Sequence, residues 1–178
     1  MKILKFFLLA ITIVSFTACS SDDDNNDEDD VVLVELTNAN AAGTYDIIYY
    51  AGSSETSVTA AGGVSVVIST EVYSGDTFTD AEFTLDLNGN YAFSGSYRET
   101  YTLTVTGQAP VTTMEIDDFT DSGFYSLNNL ERTISLDGDV SNVTQFDGTN
   151  LRIIGSFTDT IGNETEVDTF EYRLVKQQ

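Results

Sequence analysis

The chain has 178 residues, 41% of them hydrophobic and 11% aromatic, with 29 acids against 7 bases, one cysteine and no histidine, for a net charge of −22. The lack of histidine excludes a Ser-His-Asp triad, a Cys-His dyad and any His-ligated zinc or iron site, and so acidic a chain repels nucleic acid. The length fits one domain plus a short leader, large enough to build a core without disulfides.

In chain order, Lys2 and Lys5 precede an apolar stretch from Phe6 to Phe16, interrupted only by Thr12 and Ser15. A charged start followed by an apolar run shorter than the roughly 20 residues needed to span a bilayer reads as a secretory leader. Phe16-Thr17-Ala18-Cys19 then resembles a lipobox, where bacterial signal peptidase II cuts ahead of a diacylglyceryl-modified cysteine. Ala18 and Cys19 match it, and Phe16 departs from the favoured leucine. The plainer alternative, an ordinary secretory cut beside an incidental thiol, requires a small residue where Phe16 stands and leaves a lone thiol in an oxidising compartment. The resemblance implies a lipoprotein signal peptide over residues 1–18 and lipid attachment at Cys19. Several acyl chains, at about 0.8 kcal/mol per buried CH₂, make a lasting membrane anchor.

Residues 20–30 contain no apolar side chain and seven acids. Such a segment buries nothing and repels itself, so residues 19–42 read as a lipidated cysteine, an acidic tether and a lead segment. Ser20 followed by an acidic run resembles the surface-export signal of lipoproteins in some Gram-negative phyla; the alternative is a plain solubilising spacer. The expected location is the outer membrane, with the chain lipid-anchored and exposed at the cell surface, or else facing the periplasm. The D-x-[DN]-x-[DN]-G pattern of an EF-hand does not occur, so no metal site and no cofactor are expected. Loss of Lys2 and Lys5 with the leader takes the bases from 7 to 5 against 29 acids, a net charge of −24.

From Val31 on, apolar residues recur at every second position, the period of a strand with one buried face. Val31 to Leu36 reads as a cap or lead strand. Tyr45, Ile47 and Tyr49 define the first strand of the body, and Val64, Val66 and Ile68 the next. Phe83, Leu85 and Leu87 lead into an Asn88-Gly89 hairpin turn. The clearest strand follows: Tyr91, Phe93, Gly95, Tyr97, Glu99, Tyr101, Leu103 and Val105 share one face, and Gly95 marks a bend or bulge in it. Met114 and Ile116 mark another strand, and Ser122 to Asn129 reads as a short helical turn or ordered loop. Ile134 and Leu136 precede a turn at Asp137-Gly138, and Val143 to Phe146 is a short strand. Leu151, Ile153, Gly155 and Phe157 run to a turn at Gly162-Asn163, and Phe170, Tyr172 and Leu174 close the chain.

These elements make an all-β, antiparallel protein of eight to nine strands. A closed up-and-down barrel and a two-sheet β-sandwich both fit; sequential hairpins favour the barrel, and closure removes exposed edges. Gly43-Thr44-Tyr45 resembles the G-x-W opening of lipocalins and the G-T-W/Y opening of lipocalin-like domains in bacterial lipoproteins. The hairpin from Phe83 to Tyr91 is similar to the strand, Asn/Asp-Gly, Tyr hairpin of those domains. The resemblance implies an eight-stranded barrel over residues 43–176 with an apolar cavity open at one end. It also implies that Arg173 packs over Tyr45.

Glu99 lies on the apolar face between Tyr97 and Tyr101, where an unpaired carboxylate costs several kcal/mol, and Arg152 and Arg173 are its natural partners. It reads either as a polar group at the base of a ligand cavity or as an exposed or register-shifted residue. Tyr49, Tyr50, Tyr73, Tyr91, Tyr97 and Tyr101 could stack on sugar rings or simply pack across strands. Glu115 with Asp117, and Asp117 with Asp118, can be drawn as carboxylate pairs, although so many acids produce such pairs by chance. Asp159-Thr160-Ile161 resembles a short bacterial O-glycosylation acceptor.

The resulting reading is non-enzymatic: a barrel that binds a small hydrophobic or amphipathic ligand through Tyr45, Tyr91, Phe93, Tyr97, Glu99, Tyr101 and Arg173. The alternative is an adhesion or assembly module that captures glycan or protein at the surface. A third reading, a hydrolase using carboxylates alone, requires two carboxyl groups about 5–10 Å apart in one cleft.

Overall fold

The computed structural model describes residues 34–178; the leader, Cys19 and the acidic tether lie outside them. A single turn of helix, α1 (Asn38–Ala41), is followed by eight strands: β1 (Gly43–Thr59), β2 (Ser65–Leu85), β3 (Asn90–Val105), β4 (Val111–Asn128), β5 (Thr133–Leu136), β6 (Asp139–Phe146), β7 (Asn150–Ile161) and β8 (Glu164–Lys176). Each strand pairs antiparallel with the next, and β8 returns to β1, closing the ring. The architecture is thus an up-and-down barrel, and the sandwich is excluded.

Alternation sets the inner face. Tyr45, Ile47, Phe83, Leu85, Tyr91, Ile134, Val143, Phe146, Leu151, Ile153 and Leu174 point inward and form one core. That core fills one end of the barrel. Leu36 and Ala41 plug the end, and the Tyr45 hydroxyl donates to the Ala41 carbonyl at 2.7 Å. Val34 and Leu36 thus act as a cap rather than a strand, and Thr37 opens α1 as its N-cap. Among the described residues, the core and every strand pair belong to this one barrel.

The tight turns fall where expected. Asp86 accepts from the N–H groups of Asn88 and Asn90 at 2.8 Å each, closing the Asn88-Gly89 hairpin. Hydrogen bonds from Asn90 and Asn88 hold its carboxyl below the usual aspartate range.

Three strand assignments change. Residues 122–128 are strand, not helix: Asp121, Gly123, Tyr125 and Leu127 continue the inward alternation of β4, while Ser122, Phe124 and Ser126 face out. Met114 and Ile116 lie on the outer face of β4, about two-thirds exposed, so the inward set of that strand is its acids and aromatics. The segments at Val66 and Phe83 belong to one 21-residue strand, β2, whose register slips between Asp76 and Glu82. Gly95, at φ +139°, faces that slip; β3 itself pairs with β4 without interruption.

The wall is uneven. β5 has 4 residues and β6 has 8, against 18 in β4 and 12 in β7. β5 pairs with Tyr125 to Asn128 of β4, and β6 with Leu151 to Ile154 of β7. Residues 111–123 of β4 and 155–161 of β7 therefore have a strand neighbour on one side only.

Candidate functional site

Between the packed end and the middle of the barrel lies a cavity of about 180 Å³. Phe83, Phe93, Ile153, Phe170, Tyr172 and Leu174 form its apolar wall, and Tyr91, Asp121 and Ser141 bring polar groups to it. It adjoins an outer vestibule of about 370 Å³, with which it shares Tyr91, Asp121, Leu136, Ser141 and Phe170. Asp137, Asp139 and Val140, at the β5–β6 hairpin, border the vestibule. The low wall at β5 and β6 is what leaves this opening to the side.

An aromatic layer lies above the cavity. Tyr50 stacks on Tyr172 at 4.8 Å between ring centroids and meets Tyr97 edge-on at 5.2 Å. Phe93 joins Phe119 at 4.6 Å and Tyr172 at 5.4 Å. Each such pair adds about 0.5–1.5 kcal/mol beyond its buried area. Burial raises the hydroxyls of Tyr50, Tyr97 and Tyr172 well above the ordinary tyrosine range.

At the side opening, Tyr91 donates toward two carboxylates, Asp121 at 2.8 Å and Asp137 at 3.0 Å. Asp137 follows β5 at φ +49° and folds back over β4, where its carboxylate accepts from the Phe124 N–H at 2.8 Å. Gly123 makes room for it, since a Cβ there would collide with the Asp137 carboxylate. Asp121 also accepts from the Ser122 N–H at 2.8 Å. Burial, with the hydrogen bonds to these two carboxylates, raises the Tyr91 hydroxyl above its ordinary value.

Tyr91 and Phe93 line the cavity, and Tyr97 sits in the aromatic layer above it. Glu99 and Tyr101 stand further toward the open end, opposite Glu115 and Thr113 of β4. Tyr45 is fully buried at the closed end and does not line the cavity. Arg173 does not cover it: the Arg173 guanidinium lies 4.2 Å from the Tyr49 ring, outside, while Lys176 sits 5.7 Å from the Tyr45 ring. The reason is register, since β1 pairs Tyr45 with Lys176 and Tyr49 with Arg173. Asp121, Asp137 and Ser141 went unnoticed in the sequence: Asp-Gly reads as a turn, and nothing local signals a carboxylate folded back across a neighbouring strand.

Glu99 does face inward, but without the expected partners. Arg152 and Arg173 both pair with Glu171, at 2.9 and 2.5 Å. Burial, then the carboxylates of Asp117, Glu115 and Glu71, raise the Glu99 carboxyl. The folded chain therefore holds this proton to a higher pH than the unfolded chain, and stability falls as pH rises through that window. Glu99→Gln is expected to raise the melting temperature at pH 7, by less than about 4 °C because a partly exposed carboxylate is screened by solvent. The gain should vanish near pH 4; an equal gain at both pH values would refute this assignment.

Asp117 and Asp118 point to opposite faces of β4, so they make no pair, whereas Glu115 and Asp117 share the inner face. Thr160, in the glycosylation-like triplet, is exposed near the end of β7. Comparison with family models, with curated proteins and with solved structures gives no match to this chain.

Proposed function

We propose that the chain is a lipid-anchored lipoprotein of the outer membrane, displayed at the cell surface, whose lipocalin-like barrel carries a small hydrophobic or amphipathic ligand. The observation that carries this reading is the apolar cavity of about 180 Å³ with a lateral opening onto a polar vestibule. Ligand sites are typically concave and mostly apolar, with a few placed polar groups, and Tyr91, Asp121 and Ser141 are such groups here. The leader and the Cys19 context support the anchor. An adhesion module would offer its tyrosines to the outside; Tyr50, Tyr91 and Tyr97 are turned to the interior, which favours a ligand within.

Asp121 and Asp137 contact the same hydroxyl oxygen, close enough to draw as a hydrolytic pair. A carboxylate pair that acts as acid and nucleophile needs two contrasting environments. These two share one, each within hydrogen-bond reach of the Tyr91 hydroxyl and each accepting from a backbone N–H, so hydrolysis is not favoured.

One preparation tests both halves of the proposal. The protein is purified from its own outer membrane and weighed under denaturing and native conditions. The denatured mass should show acyl groups on Cys19, lost in Cys19→Ala. The native mass should show an adduct that leaves on delipidation and returns with a defined compound. An unacylated chain removes the anchor; a clean apo mass under every condition removes the carrier.

A further inference from the structure

We propose that the cavity selects a small amine: a protonated nitrogen held at the side opening, with a single ring or short chain in the apolar interior. This deepens the ligand-carrying reading and rests on it.

Size sets the apolar part. A volume of about 180 Å³ is comparable to an apolar protein cavity of roughly 150 Å³ that holds benzene, so the inner chamber accepts one ring. Phe83, Phe93, Ile153 and Leu174 offer that ring only carbon.

Charge sets the polar part. Asp121 lines both chambers, and Asp137 and Asp139 line the vestibule, so every charged group at the opening is negative. No cation of the described residues neutralises them. Arg98 pairs with Asp76, and Arg152 and Arg173 with Glu171. Arg132 donates to the Val34 carbonyl and Lys176 to that of Asn40.

Hydrogen bonding points the same way. Tyr91 has one hydroxyl proton, yet both carboxylates stand within reach of its oxygen. With both ionised, one contact lacks a proton. An ammonium group supplies three donors and a positive charge at that place, whereas a hydroxyl supplies one donor and a carboxylate none. A carboxylate ligand would also meet three like charges, so the opening rejects the acids that an apolar pocket of this size would otherwise admit.

The test uses residues 20–178 without the acyl group and three probes of similar shape: 2-phenylethylamine, 2-phenylethanol and 3-phenylpropionate. Each is titrated while the methyl resonances of Ile153, Leu174 and Leu136 are followed. The amine should bind at least tenfold more tightly than the alcohol, the acid should not bind, and the amine should move those methyl signals. Asp121→Asn and Asp137→Asn should each weaken the amine more than the alcohol, so that the ratio of their affinities falls toward one. If the alcohol or the acid matches the amine, the cavity still carries ligands but the amine preference is wrong. If the amine binds without moving the cavity methyls, it is attracted only to the acidic surface and the proposal falls. If none of the three saturates, both the preference and the carrier reading fail for this cavity.

Discussion

Gly95→Ala is expected to cost more than about 3 kcal/mol and to remove the cooperative unfolding transition at moderate denaturant. Gly95 sits where β3 passes the slipped stretch of β2. A Cβ there would strike the Ala81 Cα and the Asp80 carbonyl oxygen, which are backbone atoms and cannot swing aside. Its φ of +139° is also closed to an L side chain. The β2 slip has its own positive-φ residues, Thr77 and Asp80, so the two strands bend together at this point. Gly107→Ala provides the comparison. Gly107 has φ +82° but nothing within 4 Å of a Cβ, so only the conformational cost of about 1 kcal/mol applies. Guanidinium unfolding curves of both variants decide the matter; a cooperative transition retained by Gly95→Ala with no greater loss than Gly107→Ala would mean that the close approach of β2 and β3 does not limit stability.

Tyr45→Ala is expected to cost about 3–5 kcal/mol, the range for truncating a large buried ring. Tyr45 is 0% exposed and lies at the centre of the packed end, between the capping segment and the core. Tyr45→Phe keeps the ring and leaves the Ala41 carbonyl without its 2.7 Å donor, a loss of about 1–3 kcal/mol. That smaller change should act locally, speeding protease cleavage around α1 more than it lowers the melting temperature. It also has an alkaline signature. Burial, followed by the neighbouring Tyr125 and Asp147, pushes the Tyr45 hydroxyl up to about 12. Between its unfolded value near 10 and that level the folded state alone keeps the proton, so stability falls as pH rises. Tyr45→Phe should lose less stability than the parent over this interval. Parallel pH profiles would show that the buried hydroxyl contributes nothing.

The barrel was legible because strand alternation survives in β3, β7 and β8, and because Asn88-Gly89, Asp137-Gly138 and Gly162-Asn163 each mark a chain reversal. Alternation misled where polar residues face inward. In β4 the inner positions hold Glu115, Asp117 and Asp121, while Met114 and Ile116 face out, so the greasy residues named the wrong side. The stretch from Ser122 to Asn128 disguised itself in the same way, with Gly123 inside and Phe124 outside. The length of β2 was hidden by its slip, where two successive register shifts between Asp76 and Glu82 break the alternation. Of the site, Tyr91, Phe93 and Tyr97 were readable from one strand. Asp121 and Asp137 were not, because their meeting at Tyr91 depends on a register and a turn geometry that no short stretch encodes. Glu99 was correctly aimed inward, but its surroundings depended on two other strands, β2 and β4.

The short β5 and β6 leave two rows of backbone hydrogen-bonding groups with no strand beside them. Such rows are templates on which another chain can add itself. On β4 the open stretch carries Glu115, Asp117, Asp118 and Asp121, and on β7 it carries Asp159. A second copy approaching either row brings the same charges, so mutual repulsion does what a covering strand would otherwise do. The protection of these edges is then electrostatic rather than steric. Salt that shortens the reach of these charges to a few ångströms is expected to leave the same rows open to edge-to-edge pairing.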